Sequence, residues 1–186
     1  MINTSNEYKR YIADSVDSDL PRSFTAKAVV TLADSTVLNI TEEDIIIKGL
    51  KINDSTSPSN SFQIGSAIIN QCTLMLNNIE GKFNDYDFTD AVIRPYIGLK
   101  LSTTTEWLAK GVFTVDEPKV ASSIISLICL DNMYKFDMPF SDVEIDFPCT
   151  NLQLLLKVCL HCGVSLATLH FLNDDFVIER RPDDEA

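Results

Sequence analysis

The chain of 186 residues is poor in the residues from which catalytic and ligand-binding motifs are usually built. It has only two histidines, His161 and His170. Neither Cys159 nor Cys162 therefore acquires the base and orienting partner that a nucleophile needs, and no triad can be argued. The six glycines are scattered beside turns and strands. Gly-Lys occurs only as Gly81-Lys82, without a following Ser or Thr, which excludes a phosphate-binding loop. Nowhere do 18 apolar residues run together, and residues 1–19 hold no apolar stretch beside a small-residue cleavage site, so the chain reads as soluble and unexported, with no signal peptide. Positive charge is scarce as well. Fifteen Lys and Arg stand against 27 Asp and Glu, a net charge of -12, and no basic cluster exceeds Arg180-Arg181. Such a field repels phosphate backbones and anionic headgroups, which makes nucleic acid and membrane poor partners. The five cysteines are odd in number and lie in apolar segments, the pattern of reduced, packed thiols rather than a disulfide framework.

What the chain does have is apolar content: 45% of it is hydrophobic. A chain of this length buries roughly 70% of its unfolded surface, enough for one domain and part of another. Thr4 and Glu7 have capping-box spacing ahead of a helix predicted from Ser5 to about Val16, with Tyr8, Tyr11 and Ile12 on one face. From Ser23 the period changes to two, placing Phe24, Ala26, Ala28, Val30 and Leu32 on one side of a strand. Val37–Ile40 pairs back on it. Ile45–Ile52 is a strand with a bulge or bend at Gly49, and Ser66–Asn78 is a central strand. Val92–Ser102 carries Pro95, which assigns it to a sheet edge or a bend. Two further strands surround Val112–Val115 and Ile124–Leu130, the latter an apolar run that calls for burial on both faces. Short turns without crossover helices exclude a parallel sheet, so the fold is mainly β, an antiparallel barrel or sandwich over residues 23–140 behind an N-terminal helix and connector (1–22). Trp107 and the Ile124–Leu130 strand are placed in its core. After it Thr150 caps an amphipathic helix stopped by Gly163, and Val164–Leu169 and Asp174–Ile178 are extended; residues 141–186 read as the β-α-β opening of a second, truncated domain.

Two clusters resemble metal sites. Asp85, Asp87, Thr89 and Asp90 are hard oxygen ligands, but the loop lacks the glycine and the bidentate glutamate of an EF-hand. Cys159, His161 and Cys162 are soft ligands, yet 161 leaves the helix face that 159 and 162 share, and no second pair stands at finger spacing. The expectation is no metal, no cofactor and no catalytic residue.

A set of short stretches is more informative together than singly: Glu7-Tyr8-Lys9, Ile64-Gly65-Ser66-Ala67-Ile68, Leu76-Asn77-Asn78 with Gly81-Lys82-Phe83, Asp85-Tyr86-Asp87-Phe88-Thr89-Asp90-Ala91, Gly111-Val112-Phe113-Thr114-Val115 and Leu130-Asp131-Asn132-Met133. With Phe147-Pro148-Cys149-Thr150 these resemble the N-terminal region of tail or baseplate hub proteins from phages and prophages of Gram-positive bacteria. The resemblance implies a barrel domain that associates as a ring, commonly trimeric, at the distal end of the tail tube. Its partners would be the distal tail protein, tail tube and tape measure, its location the virion tail after synthesis in the host cytoplasm, and its work mechanical. Phe83, Tyr86 and Phe88, aromatics on a loop rich in turn formers, are candidate subunit contacts; the other reading tucks them onto their own barrel. The alternative class is a β-sandwich carbohydrate-binding or adhesin module using Trp107 and Tyr86 on a flat face. As the start of a longer protein the 186-residue chain would be a monomer or weak oligomer by itself.

Overall fold

The computed structural model describes residues 3–13, 22–53, 68–121, 123–166 and 168–181. The described residues fall into two compact units, one through Asp131 and one from Asn132 onward.

The first unit is mainly β. Its strands are β1 (Ser23–Thr31), β2 (Val37–Ile40), β3 (Ile45–Asn53), β4 (Gln71–Asn77), β5 (Val92–Lys100), β6 (Thr105–Ala109), β7 (Phe113–Val120) and β8 (Ile124–Asp131). All pair antiparallel in one sheet of order β2-β1-β5-β7-β8-β4-β3, with β6 also on β5. Alternation decides which side is buried. Ala28 and Val30 of β1, Leu74 and Leu76 of β4, Ile93 of β5, and Ile125, Leu127 and Cys129 of β8 share one core. A single sheet whose distant strands share a core must curl on itself, and β1 does approach β3. It does not close into the expected barrel: no described ladder joins β3 to β1 or β2. Two local irregularities account for this. β2 leaves β1 after Ile40, opposite Ala28. On β3, Ile45 faces Leu76 and Leu50 faces Leu74, so the strand advances five residues while β4 advances two, a bulge of three extra residues. Gly49 sits within it because a Cβ there would lie 2.8 Å from the carbonyl oxygens of both Ile46 and Met75.

Pro95 does not mark an edge. β5 lies inside the sheet, and Pro95 falls in the gap between its ladder to β7 (Val92, Ile93) and its ladder to β6 (Tyr96–Lys100), where no N–H is required. Its carbonyl accepts the Lys110 N–H at 2.9 Å. Nor is Trp107 a core residue. It stands on the outer side of β6, half-buried, over Gly98, with the Lys27 ammonium 4.3 Å from its ring centre. Helix α1 (Asn6–Ala13) starts one residue later than the Thr4 box predicts, because Ser5 Oγ caps it by accepting the Tyr8 N–H at 3.0 Å. Glu7 turns instead to the Ser102 N–H and hydroxyl, which hold its carboxyl below the usual range. The predicted helical residues 14–16 lie outside the described residues.

Cys72 and Cys129 are register partners on β4 and β8, both fully buried. The ladder bonds Asp131 N–H to Asn70 O and Asn78 N–H to Ser123 O share their register, lie two and six residues along, both even steps, and make the cysteines a hydrogen-bonded pair. Cβ atoms in such a pair stand about 5.5 Å apart, wider than the 3.5–4.5 Å of a disulfide. Burial also pushes the Cys72 thiol up to about 12 and raises that of Cys129. Both are thus expected to resist alkylation at pH 8 in the folded protein, while the half-buried Cys162 reacts first. Mass mapping after a short maleimide pulse checks this; early labelling of Cys72 or Cys129 would contradict their placement.

The second unit contains strands β9 (Cys149–Thr150) and β10 (Val177–Ile178), which pair antiparallel, and helix α2 (Asn151–His161). Thr150 caps α2 as predicted, its hydroxyl oxygen accepting the Gln153 N–H while Gln153 returns a bond to the Thr150 N–H. Gly163, at φ +64°, ends it. The first strand precedes the helix rather than following it: residues 164–166 and 168–169 form no strand. Arg181 donates to the carbonyls of Phe140 and Val143 at 2.8 and 2.9 Å and lies against the Phe140 ring.

Candidate interaction surface

The segment from Asn78 to Ala91 is held as a bracket by one buried side chain. Asn78 donates through Nδ2 to Asn84 Oδ1 at 2.8 Å, accepts the Phe83 N–H on Oδ1 at 2.9 Å, and sends its own N–H to Ser123 O. Gly81 and Asp90 make the left-handed turns at φ +71° and +56°. The bracket drives Phe83 and Phe88 inward. Each is 2% exposed, their ring centres are 6.4 Å apart with planes at 65°, and both belong to the core shared with Leu74 and Leu127. Two of the three candidate contact aromatics therefore face their own core, since turn chemistry fixes which way the loop side chains point. Tyr86 alone of the three reaches the surface, 37% exposed, between the exposed carboxylates of Asp85 and Asp87. Asp87 accepts the Thr89 N–H at 2.9 Å, which holds its carboxyl below the usual range.

Lys82 ties this bracket to the start of β3 by an ion pair with Asp44, whose other oxygen accepts from the Thr41 N–H and hydroxyl. Burial raises the Asp44 carboxyl, but the bonds from Lys82 and Thr41 together outweigh it and leave the group below its ordinary value. A depressed folded value means that the carboxylate stabilises above the unfolded value, near 4, and that this contribution is lost as pH falls further. Asp44→Asn is expected to cost about 1 kcal/mol at pH 7 and to shrink toward zero effect near pH 2. Urea titrations at the two pH values check it; equal losses at both would detach Asp44 from Lys82.

The second feature is the opening left where the sheet fails to close. In an antiparallel ladder, successive residues turn their main-chain groups to alternate neighbours. The bond from Leu32 N–H to Thr36 O assigns the even residues of β1 to the β2 side, so beyond the end of β2 the N–H and C=O of Phe24 and Ala26 face the opening. On β4 the even residues serve β8, the odd ones pair with Lys51 and Asn53, and the main chain of Leu50 and Ile52 faces outward. Those same four residues line a mostly apolar slot of about 540 Å3, completed by Ile97, by residues 45–49 of the bulge, and by Thr25 and Glu42, whose carboxylate accepts from the Thr25 hydroxyl and pairs with Lys100. Phe24 is 50% and Ile47 94% exposed at its rim. Lys48 and Lys51 stand on the same strand, and among the described residues neither forms an ion pair. The sequence pattern missed the slot because it depends on a register slip and on where β2 departs; Gly49 was the local signal of the bulge.

Among the described residues no group of three or more His, Cys, Asp or Glu could hold a metal ion. The Asp85–Asp90 carboxylates and the Cys159, His161 and Cys162 side chains are thus not gathered into ligand sets, Cys159 being buried while His161 is exposed. No described helix is long and apolar enough to cross a membrane.

No family model matches the chain, and no curated protein matches it. A solved chain titled "Virion of native gene transfer agent (GTA) particle" is similar with a TM-score of 0.46 and 11% identity, over 78% of this chain and 50% of that chain. The chain thus spans half the length of that neighbour.

Proposed function

We propose that the chain is a structural component of a phage or prophage tail, a hub or baseplate element that joins the tail tube to distal receptor-binding or lytic parts and performs no catalysis. The observation that carries this reading is where the hub-like stretches fall. Asn78, Gly81, Phe83, Phe88, Asp90 and Ala91 build the buried bracket, and Phe113, Val115 and Leu130 extend the sheet next to it. The resemblance thus rests on residues that stiffen a framework and present Tyr86, which is the work of a part that transmits position and force. The partners on this reading are further copies of the chain, arranged as a ring, together with the distal tail protein, tube and tape measure. Immunogold labelling of purified tailed particles with an antibody to this chain is expected to mark the distal tail. Absence of the protein from the particles, or cell-wall turnover by the purified chain, would overturn the reading.

A further inference from the structure

The acidic loop and the slot are complementary, and both belong to the first unit. The loop offers one outward aromatic, Tyr86, with Asp85 and Asp87 beside it, on a bracket kept rigid by Asn78, Phe83 and Phe88. The slot offers an apolar floor of Leu50, Ile52 and Ile97 with Phe24 at its rim, main-chain donors and acceptors along both walls, Lys48 on its lining and Lys51 three residues further along the same strand, while its one lining carboxylate, Glu42, is paired with Lys100. A phenol suits such a place better than a phenyl ring, since its hydroxyl can pair with the strand edges while the ring covers the isoleucines. In a chain with net charge -12, two lysines without a described carboxylate are set against the prevailing sign. An acidic surface is what such a pair selects, and the chain itself carries one.

We infer that the slot between β1 and β3 receives the Asp85–Asp87 loop of a second copy, with Tyr86 seated on the apolar floor and the two carboxylates against Lys48 and Lys51. This rests on the reading that copies of the chain associate, and it names the surfaces that meet. Because loop and slot are unlike, the contact is of the head-to-tail kind that propagates from copy to copy and closes when the rotation permits. It also explains why a large β-branched residue, Ile47, is held out at the rim: with the slot filled it becomes part of a covered wall.

Sedimentation of the full chain from about 10 µM to 1 mM tests the inference, with folding of each variant checked by circular dichroism. The native chain is expected to self-associate weakly, and less so at high salt. Tyr86→Ala, Asp85→Lys, and Lys48→Glu with Lys51→Glu should each weaken association about tenfold or more. A mixture of the Asp85→Lys and Lys48→Glu/Lys51→Glu proteins should recover it, since a basic loop then meets an acidic slot. If the native chain associates and none of the variants alters this, copies meet elsewhere and the inference falls while self-association stands. If the native chain stays monomeric at 1 mM, self-association itself falls, and the contact with it.

Discussion

Replacing Leu127 with aspartate is expected to unfold the first unit. Leu127 is fully buried on β8, between β4 and β7, with its register partners Leu74 and Pro118 on either side. An aspartate there loses roughly 2 kcal/mol of apolar burial and brings in a carboxyl with no described donor in the core. A carboxyl in that position costs several kcal/mol more whether it ionises or takes up a proton. Set against a total stability of about 5–15 kcal/mol, the sum removes most or all of the folded population. The neighbouring Ser126 points to the other side of the sheet and is only half-buried, opposite Lys119. Ser126→Asp is therefore expected to stay within about 1 kcal/mol of the parent. Thermal melts of the two variants decide the matter: equal losses would mean that the two sides of β8 are not distinguished, and a Leu127→Asp protein melting within two degrees of the parent would remove β8 from the core.

The strand pattern was legible because alternation is a local property. Ala28, Val30 and Leu32 fall on the correct side from spacing alone. The helix around Leu152–Leu160 and its Thr150 cap were legible for the same reason: the capping box lies within four residues. What failed depended on partners remote in sequence. The Ile124–Leu130 run was expected to need burial on both faces, yet only Ile125, Leu127 and Cys129 are fully buried; Ile124, Ile128 and Leu130 are half-covered, because the sheet curls around one side. Pro95 looked like an edge marker because a sequence does not show that β5 changes partner between β7 and β6. Phe24 has the right parity for the core but lies past the end of β2, where the sheet opens, so half of it is exposed. Closure of the barrel was the natural extrapolation from many short antiparallel strands. The three-residue slip at Ile45–Leu50, signalled only by Gly49, and the departure of β2 after Ile40 leave it open instead.

The loop aromatics separate by the same logic, and that yields the second large effect. Phe88→Ala is expected to cost about 3–5 kcal/mol, since it leaves a cavity in the core at a side chain 2% exposed and strips Phe83 of its edge-on partner. For a protein of this size each kcal/mol shifts the melting temperature by about 2–4 °C, so a fall of about 6–20 °C is expected. Tyr86→Ala, two residues away, removes a side chain that reaches the surface and should leave the melting temperature within about two degrees. Association should show the reverse sensitivity, falling with Tyr86→Ala in protein that remains fully folded. Phe88 could act as a contact residue only by leaving the core, at the full expense of the cavity behind it. A folded Phe88→Ala protein with parental stability and impaired association would return Phe88 to the interface and place the bracket around Asn78 the wrong way out.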